Sequence, residues 1–304
     1  MKKCILVTGV NGFLGSYLAK RLSNEYQVIG LKRSSSNCIR IKGLKNLIVY
    51  DIDRIAIKDI FNKHCFKAIF HTATCYGRKN EPLSVIVKAN LLLGLELIEN
   101  ATFFNTDTFF NTDTFFNTDT LQQDYLNMYT MTKKYFSNFL PYFSDKIQII
   151  NCKLEHMYGY GDDENKFVGF LLKQMENNEN EIQLTKGEQK RDFIYIEDVV
   201  DAYILLLKKS NQLKQFNEFD IGTGNQITIK EFCLYFRECF ENYKQIKTLL
   251  RFGAIPYRKN ELMFVEENIQ PLFDLGFRPK YDYKKGIEAI LKEKFYNNTF
   301  MEKV

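Results

Sequence analysis

The sequence has no long apolar run, no paired-cysteine motif and no marked excess of one charge. Its longest apolar runs, such as residues 202–207, fall far short of the ~20 residues that a membrane-spanning helix needs, so no membrane span is expected. The seven cysteines include no C-x-x-C pair, which argues against zinc or a disulfide framework and favours reduced thiols in a cytoplasmic protein. The net charge of +5 is dispersed along the chain and gives no indication of nucleic-acid binding.

What is present is the composition of a soluble globular protein, with 45% hydrophobic and 26% charged residues. The length of 304 residues predicts about two domains at roughly 150 residues each. The basic start Met1-Lys2-Lys3 is typical of a signal peptide. A short strand and a glycine motif follow it with no small-residue cleavage site, so we expect no signal peptide.

Strand-like and helix-like patterns alternate along the first half of the chain. We predict strands at residues 4–8, 27–31, 47–50, 68–71 and 147–152, and helices at 13–22, 85–98 and 129–140. In the second half we predict helices at 165–175, 197–208, 229–240 and 283–295, and a strand that ends at 219–221. The alternation predicts an α/β fold, a Rossmann-type doubly wound parallel sheet with a smaller mixed C-terminal domain. We expect domains at 1–160 and 161–304, with residues near 193–230 returning to the first.

Residues 102–119 are the hexapeptide TFFNTD three times in succession, followed by Thr120. Three copies inside an α/β pattern are too few for a β-solenoid. Each copy instead offers Thr-Phe-Phe as strand and Asn-Thr-Asp as turn.

A glycine motif, Gly9-x-x-Gly12-x-x-Gly15, joins the first predicted strand to the first helix. Glycines there allow a tight turn and let backbone N–H groups at the helix start approach a pyrophosphate. The strand before and the helix after favour dinucleotide binding over a purely structural turn. The predicted cofactor contacts in this segment are Gly9, Asn11, Gly12, Phe13, Leu14 and Gly15.

The end of the second strand indicates which dinucleotide is bound. An acidic residue there usually bonds the ribose 2′-hydroxyl of NAD, but this chain has Lys32-Arg33-Ser34. Two cations and a hydroxyl suit the 2′-phosphate of NADPH, and the alternative is a solvated basic loop. Asp51, followed by Ile52, is a candidate for the adenine amino group.

A Tyr129-x-x-x-Lys133 pair lies on a predicted helix, so the two side chains share one face. A nearby ammonium stabilises a phenolate, so we expect Tyr129 to have a lowered pKa and to exchange a proton with a carbonyl oxygen. The alternative is an exposed helix pair with no catalytic role.

These motifs, together with KLEHMYG at 153–159 and QKRDF at 189–193, resemble the extended short-chain dehydrogenase/reductases that act on nucleotide sugars. Within that group the chain is most similar to the CDP-abequose synthases, through LEHMYGYGDDENKF, KGEQKRDFIYIEDVVDAY, FGAI followed by NELMF, and DYKKGIEAIL. The resemblance implies a Rossmann domain and a nucleotide-sugar-binding domain. It also implies NADPH-dependent reduction of the 4-keto group of a CDP-3,6-dideoxy-4-ketohexose. A homodimer through a four-helix bundle is implied as well, and the apolar stretch 91–98 fits it or simple core burial.

By the same resemblance, Tyr129 protonates the C4 oxygen and Lys133 holds the nicotinamide ribose. A Ser or Thr at the end of the preceding strand bonds the same oxygen. Thr112, in the middle TFFNTD copy, is the candidate and Thr114 the alternative, because Thr118 lies only 11 residues before Tyr129. Phe109 and Phe110 are then predicted to lie in the strand, with the third copy as a loop.

The resemblance also implies contacts outside the catalytic pair. Thr74, in the loop after the fourth strand, is a candidate cofactor contact, with a plain turn as the alternative. The candidate substrate contacts are His156, Asn165, Lys166, Arg191, Arg258 and Glu261. A structural histidine and surface charges are the corresponding alternatives.

The sequence therefore predicts a cytoplasmic NADPH-dependent C4-reductase of a nucleoside diphosphate 4-keto-3,6-dideoxy sugar, serving surface polysaccharide synthesis. An NDP-sugar 4-epimerase that retains NAD is the nearest alternative. A non-catalytic nucleotide-sensing protein on the same fold is the alternative from another class. The nucleotide base, a hexose or heptose substrate and the C4 stereochemistry stay open, and no metal is expected.

Overall fold

A computed structural model describes residues 3–104 and 112–297. Its strands are β1 (Cys4–Thr8), β2 (Val28–Lys32), β3 (Leu47–Asp51), β4 (Phe66–His71), β5 (Thr114–Thr120), β6 (Gln148–Leu154), β7 (His156–Tyr158), β8 (Glu181–Leu184), β9 (Lys190–Tyr195), β10 (Phe216–Ile221), β11 (Gln226–Thr228) and β12 (Leu249–Phe252). Its α-helices are α1 (Phe13–Leu22), α2 (Ile57–Phe61), α3 (Leu83–Val87), α4 (Leu93–Phe104), α5 (Met128–Phe139), α6 (Phe167–Glu176), α7 (Ile196–Lys209), α8 (Ile229–Glu241), α9 (Gln270–Asp274) and α10 (Tyr283–Lys292).

The central sheet has seven strands in the order β10-β6-β5-β4-β1-β2-β3. Every strand from β6 to β3 pairs in parallel with its neighbour. The order reverses between β1 and β4, which is the switch point of a Rossmann sheet, and ligands bind outside the carboxyl ends of the strands there. The predicted α/β Rossmann fold is confirmed.

Burial on both faces explains why the central strands are almost continuously apolar. All five residues of β1 are buried, and Phe70 of β4 stacks on Phe116 of β5 with ring centroids 4.5 Å apart. Phe136 of α5 packs on the same layer, edge to face with His71. The core thus holds the ends of β1, β4 and β5 close to α5.

The TFFNTD repeat takes two different structures. Residues 102–104 of the first copy end α4, whereas the third copy, with Thr120, forms all of β5. The predicted register is therefore wrong, because the third copy is the strand rather than a loop. The prediction for Phe109 and Phe110 lies outside the described residues.

The chain divides into two compact units. Unit 1 consists of Met1–Leu154 and Val200–Asp220, and contains the central sheet up to Asp220 of β10. Unit 2 consists of Glu155–Val199 and Ile221–Val304. It contains a three-stranded sheet, β11-β9-β7, and a two-stranded one, β12-β8. The chain therefore passes from unit 1 to unit 2 after Leu154, whereas the sequence predicts this boundary near residue 160. The segment that returns to unit 1 is 200–220, whereas the prediction is 193–230.

The predicted helix at 85–98 is longer than expected. α3, a π-helical turn at Lys88–Leu92 and α4 follow one another without a break. Among the described residues, no helix combines the length and apolarity that crossing a membrane requires.

Candidate active site

The glycine loop packs backbone against backbone at the switch point. Gly9 has φ +60°, and a Cβ built on it would lie 2.8 Å from the Ala73 Cα. A Cβ on Gly15 would lie 2.3 Å from the Gly9 carbonyl oxygen. Any other residue at 9 or 15 would therefore push the loop off β4 or off α1. Gly12 is the N-cap of α1 and makes no side-chain cap, which leaves the helix start to a bound anion.

Thr8 joins the ends of β1 and β4. Its Oγ1 accepts hydrogen bonds from Thr72 N (3.1 Å) and Ala73 N (3.0 Å), and it lies 3.0 Å from His71 Nδ1. Thr72 Oγ1 donates to the Thr8 carbonyl at 2.6 Å. These bonds fix the loop that continues to Thr74, which is half-buried.

Two of the predicted cofactor residues, at the ends of β2 and β3, pair with each other. Lys32 Nζ contacts Asp51 Oδ1 at 2.5 Å, which offsets much of the lysine charge. Ser34 bonds through its backbone N to Asp53 at 2.8 Å. Arg33 is exposed.

Sequence reasoning missed a third cation at this edge. Arg40 Nη1 donates to the Asn11 carbonyl at 3.3 Å, because a 3₁₀ turn at Ile39–Ile41 brings it to the glycine loop. Its distance of 29 residues from Asn11 in the chain gave no local signal.

The Tyr129–Lys133 pair lies in the first two turns of α5. Asn127 caps the helix, since its side chain accepts from Thr130 N while Thr130 Oγ1 accepts from Asn127 N. This capping box fixes the start of α5 at Met128, directly after its N-cap residue Asn127. Tyr129 and Lys133 then follow one turn apart, as the sequence predicts.

Burial sets the charge states of the pair in the ligand-free chain. It lowers the pKa of Lys133 to about 8, although Asp119 opposes that shift. It raises the pKa of Tyr129 well above the usual value for a phenol. The expected lowering of the Tyr129 pKa is therefore wrong for this state, because desolvation outweighs the favourable charges.

The Thr120 side chain is hydrogen-bonded to the Tyr129 phenol. A hydrogen bond from its side chain lowers the pKa of Tyr129 against the effect of burial. Thr120 ends β5, whereas Thr118 two residues earlier bonds Tyr203 Oη at 2.8 Å. Neither was selected from the sequence, because their strand was expected to be a loop.

The two threonines that were selected lie at the other end of the sheet. Thr114 begins β5 and donates to Gln148 at 3.0 Å, and Thr112 is buried two residues before it. Six strand residues at about 3.3 Å each separate Thr114 from Thr120 by roughly 20 Å. The structure therefore does not bring Thr112 or Thr114 to Tyr129.

Asp119 is a further buried group that sequence reasoning missed. Its Oδ2 accepts from Lys134 Nζ (3.1 Å) and Ser137 Oγ (2.9 Å), both on α5. Lys134 also bonds the Thr120 carbonyl. These contacts clamp the end of β5 onto α5 and so hold Thr120 beside Tyr129.

The site fits a nicotinamide dinucleotide on two observations. The glycine loop forms a cradle that any Cβ would fill. Lys133 is 1% exposed, and within the described ranges its Nζ has no hydrogen-bond partner. A buried ammonium without a partner is costly, and the hydroxyls of a nicotinamide ribose would satisfy it.

In unit 2 the predicted substrate residues form one ion-pair network and one exposed turn. Arg191 on β9 is buried, and its Nη2 lies 2.8 Å from Glu261 Oε1. Glu261 N bonds the Arg258 carbonyl at 3.1 Å, which places the exposed Arg258 on the same turn. Glu261 thus pairs with Arg191, while Arg258 stays at the surface.

The remaining candidates lie on β7 and at the start of α6. His156 is opposite Phe193 in the β7–β9 ladder, and its Nδ1 lies 2.5 Å from the buried Glu155 Oε2. Lys166 is the N-cap of α6 and pairs with Asp162 at 2.9 Å, and Asn165 precedes it. Among residues 3–104 and 112–297, no group of three or more His, Cys, Asp or Glu residues is placed to hold a metal ion.

Comparisons with known proteins agree with this architecture. Residues 5–222 match the model of the NAD dependent epimerase/dehydratase family. The CDP-abequose synthase of Salmonella typhimurium is 32% identical, covering 96% of this chain and 98% of that protein. The CDP-abequose synthase of Salmonella muenchen is 34% identical, covering 97% and 99%. The crystal structure of a UDP-glucuronic acid 4-epimerase from Bacillus cereus, in complex with UDP-glucuronic acid and NAD, has a TM-score of 0.77 at 19% identity, covering 96% of this chain and 99% of that one.

Proposed function

Because this chain belongs to the NAD dependent epimerase/dehydratase family, we propose that it reduces the 4-keto group of a CDP-linked 3,6-dideoxy sugar with NADPH. The observation that carries the proposal is the Tyr129 phenol, bonded by Thr120 and one helical turn from the buried Lys133 ammonium. Near-full-length similarity to two CDP-abequose synthases supports the substrate class. The product would serve surface polysaccharide synthesis.

The chemistry assigns a task to each of the three residues. NADPH, when bound, supplies the hydride that reaches C4. Tyr129 donates its proton to the C4 oxygen, so the carbonyl becomes a secondary alcohol. The phenol is in its proton-donating form at neutral pH, and the Thr120 hydrogen bond and the Arg78 charge counter the loss of acidity that burial causes. Thr120 orients the same oxygen, and Lys133 holds the nicotinamide ribose.

Preference for NADPH is proposed from the basic edge of the cofactor loop. Lys32 is paired with Asp51, so we assign the 2′-phosphate to Arg33 and Arg40. A guanidinium can bond a phosphate through two N–H groups at once. Thr74 is retained as a contact to the cofactor ribose.

The substrate diphosphate is assigned to the cations of unit 2. Arg191 presents a buried guanidinium held by Glu261, and Arg258 and Lys166 add positive charge. His156 and Asn165 complete the proposed substrate contacts.

The test is NADPH oxidation by the purified enzyme with CDP-, GDP-, UDP- and dTDP-4-ketosugars, with NMR of the product. We expect turnover only with the CDP substrate, or far more with it than with the others. Tyr129→Phe should lose about 10²- to 10⁴-fold in kcat, the usual contribution of a general acid, while still binding NADPH in a fluorescence titration. An unchanged kcat in this variant would mean that the pair is only structural.

An NDP-sugar 4-epimerase is the second candidate, since a solved structure of this fold is a UDP-glucuronic acid 4-epimerase. An epimerase returns the hydride and retains its cofactor. Bound NAD in the purified protein, with C4 inversion and no added NADPH, would favour it over the reductase. Absence of any reaction with intact ligand binding would instead favour a nucleotide-sensing role.

We also propose that the enzyme is a cytoplasmic homodimer. The supporting observation is an apolar surface formed by Val85, Leu92, Met128, Tyr135 and Phe139, each at least 38% exposed. We call this surface the α3–α5 face, since Val85 lies on α3, Leu92 on the π-helical turn that follows it and the other three on α5. On α5 its members recur seven and four residues apart, which places them on one side of the helix.

A further inference from the structure

The loop after β4 reaches the catalytic phenol. Tyr76 lies in this loop, and its ring centroid is 4.8 Å from that of Tyr129, with the planes tilted by 42°. Tyr76 itself is 38% exposed. It therefore borders the solvent-accessible side of the half-buried Tyr129.

The loop is held in place on both sides of Tyr76. The buried Asn90 accepts from Cys75 N (2.8 Å) and donates to the Cys75 carbonyl (2.9 Å) and to Thr132 Oγ1 on α5 (3.0 Å). Gly77 turns the chain with φ +69°, and a Cβ there would lie 2.9 Å from Ile86 Cδ1. The same asparagine thus fixes the loop to the catalytic helix.

Arg78 also packs on the Tyr76 ring. Its guanidinium carbon lies 4.9 Å from the ring centroid, a cation–π distance. Its charge also lowers the pKa of Tyr129 against the effect of burial. The Tyr76 ring thus contacts both the Arg78 guanidinium and the Tyr129 ring.

The proposed substrate has an unusual feature at this point. In a 3,6-dideoxy-4-keto sugar, C3 is a methylene and C5 carries a methyl group, so neither side of C4 bears a free hydroxyl. When the C4 oxygen lies at the Tyr129 hydroxyl, the Tyr76 ring, which packs on Tyr129, contacts the sugar on its C3 or its C5 side. An aromatic surface favours apolar groups, and a hydroxyl pressed against it loses hydrogen bonds to water.

We propose that Tyr76, held by Arg78, is a specificity-determining residue that packs against the deoxygenated side of the sugar and selects it over the 3-hydroxylated analogue. The inference rests on the proposed function. It concerns the choice between two ketosugars, whereas the proposed function concerns whether any is reduced.

The experiment compares kcat/KM for CDP-4-keto-3,6-dideoxyglucose and CDP-4-keto-6-deoxyglucose, which differ only at C3. We expect the wild-type enzyme to prefer the dideoxy sugar. Tyr76→Ser should reduce that preference about tenfold, the discrimination that a hydrophobic contact with one group provides. Tyr76→Phe should keep it. Tyr142→Ser, at a tyrosine that is 80% exposed elsewhere in unit 1, is the matched control.

Arg78→Met gives a second test that leaves Tyr76 in place. We expect a smaller loss of preference, with the KM for NADPH unchanged. If Tyr76→Ser fails to fold, this variant decides the question, and an unchanged ratio in it overturns the inference. A folded Tyr76→Ser enzyme with the wild-type ratio overturns it as well. A wild-type enzyme that reduces neither sugar refutes the proposed function instead.

Discussion

At the scale of single residues, burial determines the pKa values of Lys133 and Tyr129. Burial lowers the pKa of the lysine to about 8 and raises that of the tyrosine. Within the part of the chain that the structure describes, the ammonium has no hydrogen-bond partner. We therefore expect a bound cofactor to stabilise this buried cation and the phenol to keep its proton for the substrate.

Replacing Thr120 tests the register of the third repeat copy. Thr120→Val keeps the shape of the side chain but removes the hydroxyl that bonds Tyr129. We expect kcat to fall about tenfold or more, since a lost transition-state hydrogen bond costs on the order of 1.4 kcal/mol or above. Thr112→Val, at an equally buried threonine before β5, is the matched control and should leave kcat within about twofold. A larger loss at Thr112 than at Thr120 would contradict this placement.

Replacing Arg33 tests cofactor choice. Arg33→Ala removes a cation from the proposed 2′-phosphate site, so kcat/KM with NADPH should fall about tenfold or more while that with NADH changes little. Arg40→Ala should act in the same direction. Steady-state kinetics with both cofactors give the result, and Arg54→Ala at an exposed arginine after β3 is the control. Equal use of both cofactors by the wild-type enzyme would exclude the assignment.

At the scale of elements, a carboxylate pair joins the turn after β10 to the segment before α9. Asp192 accepts from Thr223 N (2.6 Å) and Gly224 N (2.7 Å). A Cβ on Gly222 would lie 2.6 Å from Asp192 Oδ2 and 2.8 Å from Glu267 Oε2, so the two carboxyl groups face each other across this glycine. Burial and the Asp192 charge raise the pKa of Glu267 to about 8. Glu267 thus carries a proton at neutral pH.

This proton makes stability depend on pH. The folded chain binds it up to pH 8, whereas an unfolded glutamate releases it near 4.5. The folded state therefore holds more protons in this interval, and stability falls as the pH rises from about 5 to 8. Glu267→Gln imitates the protonated form, so its Tm should fall by several degrees less over the same interval, even after solvent screening of the half-buried carboxyl is allowed for. Glu266→Gln, at the exposed neighbour, should keep the wild-type slope, and identical slopes in all three proteins would contradict a shared proton.

Patterns that are local in sequence predicted most elements of unit 1. β1, α1 and α5 follow directly from apolar runs, helical spacing and the Tyr-Lys motif, because burial and periodicity are read from neighbouring residues. These local patterns did not predict the structure of the TFFNTD repeat. The letters TFF are helical at residues 102–104 and extended at 114–116, so pairing with β4 and β6 decides the outcome and local propensity does not. Arg40 and Asp119 were missed for the same reason, since their contacts are distant in the chain.

At the scale of the whole molecule, the α3–α5 face tests the proposed dimer. Phe139→Asp places a charge among exposed apolar side chains and should convert a dimer into monomers in light scattering at micromolar concentration. Leu234→Asp is the matched control, because Leu234 is similarly exposed but lies on α8. It should leave the mass unchanged. A wild-type protein that is already monomeric would refute the proposal.

The position of β5 in the last TFFNTD copy has a consequence for how this gene can vary. Tandem copies are prone to gain units, and an added hexapeptide would again leave TFFNTDT directly before Leu121. The residues of β5 would keep the same sequence and therefore the same pairing with β4 and β6. Asp113, which pairs with Lys3, would also be kept. Only the connection from α4 would lengthen, and loop closure costs little for each added unit. Copy number can therefore change without altering the residues that form β5 or the position of Thr120 at its end.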